Sequence, residues 1–307
     1  MAQLSERLNR LAPSATLAMS QKSGEMKAQG IDVINMSVGE PDFNTPEPIK
    51  EAAKKAIDEN YSRYSPVPGY PDLRKAIVNK LKNENNLDYT TDEVLVSNGA
   101  KQSVCNTIMA LVNDGEEVII PAPYWVSYPQ MVKLAGGEPI IVNGVSKAYA
   151  MTGWRIGFIA APQWIVKGCN KLQGQYTSGP CSVSQKAAEA AYTLPQDCVE
   201  TMRQAFERRR NLIVELAKEI PGLEVNKPEG AFYLFPKCSS FYGKTDGTHT
   251  INNSTDLSMY LLEVGHVATV GGDAFGDPEC FRMSYATSDD NIREAMTRIK
   301  NALAKLK

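Results

Sequence analysis

The chain has 307 residues, 43% of them hydrophobic and 22% charged, with a formal net charge of −2; that is a globular balance with room for two domains. So small a net charge gives no electrostatic case for nucleic acid or an anionic membrane as a partner, and no stretch approaches the ~18 apolar residues of a membrane span. Residues 1–10 mix Glu6 with Arg7 and Arg10 and lack the apolar run of a signal peptide, while Cys105, Cys169, Cys181, Cys198, Cys238 and Cys280 are scattered and only His249 and His266 accompany them, so the expectation is reduced thiols, no metal and a cytoplasmic location.

In chain order, a helical N-terminal stretch ends at Ser37-Val38-Gly39-Glu40-Pro41-Asp42-Phe43-Asn44-Thr45-Pro46, where Gly and Pro break regular structure. Thr45 is then expected to cap a helix with Pro46 at its first position and Ile49, Ala52, Ala53, Ala56 and Ile57 on its apolar face. A loop over 61–71 precedes a helix over 72–83 in which Leu73, Ile77 and Leu81 share a face. Val94-Leu95-Val96 and Val118-Ile119-Ile120 are short apolar runs bounded by turn residues, which predicts buried parallel strands; a helix over about 101–112 between them makes a βαβ unit. A helix over about 127–135, a turn at Gly136-Gly137, and strands over 139–142 and 156–160 follow. Long helices then dominate, over about 200–219, from Ser254, and over 289–306, with a strand at 231–235 between the first two. In the final helix Ile292, Ala295, Met296, Ile299, Leu303 and Leu306 recur at helical spacing, which is core packing. This change of character divides the chain into an α/β domain over about 45–185, and a second domain built from both ends, 1–44 and 186–307.

The most informative segment is Asn143-Gly144-Val145-Ser146-Lys147-Ala148-Tyr149-Ala150-Met151-Thr152-Gly153-Trp154-Arg155-Ile156-Gly157. It sets a lysine among small residues in a loop just after an apolar strand, with an arginine eight positions later beside a glycine. Lysine forms Schiff bases, and pyridoxal phosphate enzymes hold such a lysine near a phosphate-binding arginine. The bland alternative is a solvated loop lysine and an ordinary surface arginine. Upstream, strand 94–96 runs through Ser97-Asn98-Gly99-Ala100-Lys101-Gln102 into a helix. A glycine there lets the backbone approach an anion at the positive end of the helix; by itself such a turn is more often only a tight connection.

Pro121-Ala122-Pro123-Tyr124-Trp125-Val126-Ser127-Tyr128-Pro129 falls at the carboxyl end of the expected strand 118–120, where open α/β sheets bind ligands. The Trp125 indole could stack on a flat ring or simply pack within its loop. In Phe281-Arg282-Met283-Ser284-Tyr285 the arginine's planar fork suits a carboxylate, against the commoner reading of a solvated strand residue or salt-bridge partner. Tyr64, read by itself, is a loop aromatic. A serine or cysteine hydrolase finds no support, since Gly-x-Ser-x-Gly is absent and neither histidine lies in a nucleophile context.

Together these motifs closely resemble the fold type I aminotransferases, nearest the bacterial branch of the aspartate aminotransferase family. The resemblance implies an α/β, three-layer fold type I PLP-transferase architecture with a shortened central sheet, plus a smaller α+β domain formed by both chain ends. It implies pyridoxal 5'-phosphate as cofactor, a homodimer with shared active sites, and ping-pong transfer of an amino group between an amino acid, aspartate or similar, and a 2-oxo acid. Lys147 is the matching cofactor-bearing lysine, which would also shuttle a proton. Gly99, Ala100, Lys101, Ser146 and Arg155 match residues around the cofactor phosphate, and Tyr64 the tyrosine that reaches the phosphate of the neighbouring subunit. Trp125 matches the residue that stacks on the cofactor and lines the substrate, and Arg282 and Gly39 those that hold the substrate carboxylate. Lys101 could alternatively contact a distal carboxylate or be a helix-capping surface lysine.

The resemblance covers nearly the whole chain except at one join, 138–147. Family members carry two further βαβ units there, with an Asn-Pro-x-Gly turn and an Asp-Glu-x-Tyr turn. Here Ile140-Ile141-Val142 runs straight into Asn143-Gly144. The residues lost are the aspartate that pairs with the cofactor's ring nitrogen, and an asparagine and a tyrosine that bond its phenolic oxygen. Two alternatives to an ordinary aminotransferase follow: an impaired remnant that folds or dimerises without turnover, and a lyase or racemase side activity.

Overall fold

The computed structural model describes residues 11–113, 116–132 and 141–307, with Val132 described by its backbone alone. The expected turn at Gly136-Gly137, the start of strand 139–142, the end of helix 127–135 and the helical reading of residues 1–10 lie outside the described residues. The chain forms two compact units. One comprises Met1–Asp42, Ile120–Gln130 and Arg203–Lys307, and the other Phe43–Ile119 and Met131–Met202. Residues 186–202 therefore go with the unit that holds Lys147, and 120–130 with the other.

The second unit is built on helices α2 (Glu47–Asp58), α3 (Pro71–Asn85), α4 (Ala100–Leu111), α6 (Gln163–Tyr176) and α7 (Ser182–Thr193), and on strands β2 (Val94–Asn98), β3 (Ile141–Gly144) and β4 (Ile156–Ala160). Its sheet has the order β2-β4-β3. Both neighbours of β4 run antiparallel to it, with Val94↔Ala160 through Asn98↔Ile156 on one side and Ile141↔Ala160 through Gly144↔Gly157 on the other. Val94, Val96, Ile156 and Phe158 pack with Ile49, Leu73, Ile77, Leu81 and the alanines of α7 into one core. Leu95 and Ile159 face the opposite way, into a cluster with Ile165, Val166 and Cys169 of α6. That alternation is the period-2 pattern of a strand buried on both faces.

Three sequence expectations fail in this unit. Strand 94–96 is buried but not in a parallel pair: β2 runs antiparallel to β4, its neighbour in the sheet, since an apolar run fixes burial and not the direction of the strand it pairs with. Val118-Ile119-Ile120 forms no strand, and Ile119 is 92% exposed, so no βαβ unit is completed after α4. An apolar run becomes a buried strand only when neighbouring strands and covering helices take up its hydrogen bonds and side chains, and among the described residues this sheet has three strands. Thr45 is not a helix cap either: Pro46 precedes α2, while the Thr45 hydroxyl donates to the Ala150 carbonyl at 2.7 Å and accepts from the Trp154 indole at 3.0 Å.

The first unit contains α1 (Ala15–Ala28), β1 (Ile34–Asn35), α5 (Ser127–Val132), β5 (Tyr233–Leu234), α9 (Ser254–Gly265), β6 (Val267–Ala268), β7 (Val270–Gly271), β8 (Phe281–Ser284) and α10 (Asp289–Leu303). Helix α8 (Asp197–Lys218) is continuous through the boundary at 202–203. Strand β8 is central in an antiparallel sheet β5-β8-β7, and β1 pairs with β6 in parallel. The expected apolar face of the last helix is present, with Ile292, Ala295, Met296, Ile299 and Leu303 buried against Phe281, Met283 and Leu257. Ser288 caps α10 by accepting from the Asn291 amide, and Asn253 caps α9 in the same way.

Candidate active site

The register of the sheet in the second unit brings the lysine loop, the arginine and the glycine turn to one end. Strand β3 ends at Gly144, β4 begins at Ile156, and β2 ends at Asn98 opposite Ile156. The connection 145–155 and the turn Gly99-Ala100 therefore leave the same edge. In that connection Val145, Tyr149 and Met151 are buried in the core, and the Tyr149 hydroxyl donates to Gln196 at 2.7 Å. Backbone bonds from Tyr149 to Val145, from Ala150 to Lys147 and from Met151 to Ser146 close the loop. Three apolar anchors thus fix a short turn from which Lys147 stands exposed, with Ser146 half-buried beside it.

Arg155 occupies the left-handed region at φ +56°, and its Nη1 donates to the Thr152 carbonyl at 2.9 Å. A Cβ built on Gly99 would lie 2.3 Å from Arg155 Nη2. Only glycine therefore lets the guanidinium rest against the N-terminus of α4, and Gly99 also has φ +78°. Gly157 is equally constrained, since its Cβ would fall 2.2 Å from the Ala100 nitrogen. Two positive features converge here: a guanidinium with no carboxylate in salt-bridge distance among the described residues, and a helix end whose first amides have no intrahelical partner. Such a pair repels unless an anion sits between them, so the arrangement fits a phosphate group. Lys101, also in the first turn of α4, is exposed. A nearby open cavity of about 420 Å³ is lined by Thr45, Ala150, Gly153 and Trp154 among others; it contains none of these charged groups.

Arg282, Gly39 and Trp125 belong to the first unit. A strand arginine is more commonly a solvated residue or salt-bridge partner, but Arg282 on β8 is 7% exposed. Its guanidinium lies between two rings, 4.4 Å from the Tyr233 centroid and 4.6 Å from that of Phe275. Nη2 donates to the Ser37 carbonyl at 2.6 Å, whereas buried Nε has no hydrogen-bond partner among the described residues. Among the described residues no carboxylate lies within ion-pair distance. Burial therefore lowers its pKa from the ordinary arginine value, opposed only by the nearby Tyr233 oxygen. A buried guanidinium left without a carboxylate is costly and calls for an anionic ligand.

Gly39 lies against this cluster, because a Cβ there would fall 1.8 Å from the Tyr233 hydroxyl. Trp125 is 38% exposed and edge-on to Tyr128 at 5.4 Å. Its segment docks through Val126, which packs on Phe275, and through a bond from the Tyr124 amide to the Phe275 carbonyl at 2.9 Å. Tyr64, in the second unit, is 98% exposed. The aromatic sandwich of Tyr233 and Phe275 around Arg282 is not legible in the sequence, since Tyr233 stands about fifty positions from Arg282 and is brought beside it by the pairing of β5 with β8, while Phe275 reaches it from the turn before β8. The spelling Asp-Glu-x-Tyr does occur once, at Asp58-Glu59-Asn60-Tyr61, but at the C-terminus of α2 and not between β3 and the lysine.

These features define a fold type I, pyridoxal-phosphate-dependent enzyme, and the comparisons with known proteins agree. The sequence model of the family "Aminotransferase class I and II" matches residues 31–143 and 139–299. The chain belongs to that family. It is similar to an aspartate/prephenate aminotransferase of Cereibacter sphaeroides, 38% identical over 393 positions that cover 98% of each chain. It is also similar to a bifunctional aspartate aminotransferase and glutamate/aspartate-prephenate aminotransferase of Petunia hybrida, 39% identical over 399 positions covering 99% of this chain and 83% of that one. Its fold matches the crystal structure of the aspartate aminotransferase from Rhizobium meliloti with a TM-score of 0.94 and 34% identity, over 100% of both chains. Alignments of 393 and 399 positions exceed the 307 residues present, and the family match breaks in two at 139–143, where β3 runs into the lysine loop. The protein is an aminotransferase that moves an amino group between an amino acid and a 2-oxo acid, and its cofactor is pyridoxal 5'-phosphate.

Proposed function

We propose that Lys147 is the residue to which the cofactor attaches and the base that moves the substrate's proton, and that Gly99, Ala100, Ser146, Lys101 and Arg155 hold the phosphate. The bound cofactor supplies the electron sink for the amino acid's α-carbon. The observation that carries this reading is the Arg155 guanidinium seated against Gly99 at the N-terminus of α4, at the same sheet end as the lysine. Arg282 and Gly39 bind the α-carboxylate of the amino acid, and Trp125 stacks on the cofactor ring. The donor is a dicarboxylic amino acid, aspartate first, in keeping with the names of the relatives.

Two further features go with this reading. The nearly full exposure of the Tyr64 side chain suits a residue that serves the phosphate of a second copy, so the working form is a homodimer. No helix among the described residues is long and apolar enough to cross a membrane, and with the near-neutral charge we place the enzyme in the cytoplasm. The test is borohydride reduction after addition of pyridoxal 5'-phosphate, followed by peptide mapping. Label on the Lys147 peptide, abolished in Lys147→Ala and weakened in Arg155→Gln, is the expected result. Label confined to other lysines overturns the assignment.

A further inference from the structure

The chain passes between its two units at 42–43, 119–120, 130–131 and 202–203, and within the first unit the stretches beside the first and last of those crossings are tied to each other. Asp42, the last residue before the first crossing, accepts a two-bond fork from Arg209 of α8, Nη1 to Oδ1 at 2.7 Å and Nη2 to Oδ2 at 2.8 Å. Arg209 is 7% exposed, and its Nε lies 3.5 Å from Asp289 at the start of α10. Arg208 grips the same Asp289 carboxylate at 2.9 and 3.1 Å. Bidentate pairs of this kind fix geometry as well as contributing energy.

The other end of the same segment is fixed on β8. Arg282 donates to the Ser37 carbonyl at 2.6 Å, and the Ser284 amide donates to the Met36 carbonyl at 2.7 Å. Only Val38, Gly39, Glu40 and Pro41 lie between these two anchors, and Gly39 presses its backbone on Tyr233, the ring that stacks on Arg282. With both ends anchored, the four residues between them have little freedom, and slackening the Asp42 end loosens the contact of Gly39 with Tyr233.

We propose that the Asp42–Arg209 pair is a positioning device for the carboxylate site, holding segment 38–41 so that Gly39 and the Arg282 guanidinium keep the spacing a substrate carboxylate requires. The proposal rests on reading Arg282 as the carboxylate-binding residue. Neither Asp42 nor Arg209 touches the substrate; they act through the backbone between them and Ser37.

The experiment is calorimetric titration of the cofactor-loaded protein with succinate, a dicarboxylate that cannot react. Asp42→Asn and Arg209→Gln should each weaken succinate binding about tenfold, within the usual range of coupling between linked sites. The double variant should be no weaker than either single one, because the two side chains act as one unit. Arg209→Lys, which keeps the charge but loses the fork, should fall between, and serves where Arg209→Gln does not fold. Lys300→Gln, which removes the exposed pair with Glu219, should bind as the parent does. Variants that melt at lower temperature yet bind succinate like the parent would make the pair purely structural and overturn the proposal. A parent protein that does not bind succinate at all overturns the carboxylate reading itself, and this inference with it.

Discussion

Replacing Arg282 by methionine separates binding from stability. In the free protein the guanidinium is buried with no carboxylate within ion-pair distance among the described residues, so its desolvation is offset only by two ring contacts and the bond to Ser37. The ring contacts contribute about 1 kcal/mol each and a charged hydrogen bond about 1.5–3 kcal/mol. Relief of the buried charge returns several kcal/mol, and methionine fills a similar volume. The terms nearly cancel, so Arg282→Met should melt within about 5 °C of the parent. A bound carboxylate, by contrast, loses a two-bond charged fork of roughly 3–6 kcal/mol, or about 10²- to 10⁴-fold in affinity. Succinate titration and a thermal melt on the same preparation provide both numbers. Unchanged succinate affinity would refute the role, and a collapse in melting temperature would show that the arginine is there to hold the fold.

Three further outcomes are expected. Gly157→Ala should lower stability by about 1–3 kcal/mol in a denaturant titration, because the new methyl meets backbone atoms of Gly99 and Ala100 that cannot swing aside. Near neutral pH, iodoacetamide should label exposed Cys181 before any buried cysteine. Burial pushes Cys169 and Cys238 up to about 11 and Cys280 up to about 12. At Cys181 partial burial is outweighed by hydrogen bonds from Ser184 and Val183, which lower its pKa, so its labelling should persist to lower pH than that of an ordinary thiol; mass spectrometry of the labelled peptides checks the order. Steady-state turnover of aspartate with 2-oxoglutarate should be about 10²- to 10⁴-fold below that of a relative of full length, the cost of losing one partner of a buried ion pair expressed in the rate. A coupled assay of the two proteins side by side decides it, and equal rates would show that another acid replaces the missing aspartate.

Much of the fold could be read from local pattern. The helices over 72–83 and 289–306 are visible from the spacing of Leu73, Ile77 and Leu81 and of Ile292, Met296 and Ile299, and the helix over about 101–112 from its place after strand 94–96; they stand as α3, α10 and α4 with ends moved by a few residues. The lysine loop was visible because its chemistry is written in consecutive residues. What failed depended on distant partners. Val118-Ile119-Ile120 has the composition of a buried strand, but composition does not say whether a neighbouring strand exists to pair with it. Thr45 has the chemistry of a helix cap, yet Ala150 and Trp154, more than a hundred positions away, offer its hydroxyl other partners. The same limit hid the surroundings of Arg282, whose burial is made by Tyr233, Phe275 and Ser37.

Amino transfer itself is tested most directly by following the visible absorption of the cofactor-loaded protein through its two half-reactions. Adding aspartate without acceptor should shift the cofactor band once, stoichiometrically, and adding 2-oxoglutarate should return it, with oxaloacetate and glutamate formed in equal amounts. Lys147→Ala should not complete the cycle. A band that never responds to aspartate, or product that forms without need of a 2-oxo acid, would contradict an aminotransferase built on Lys147.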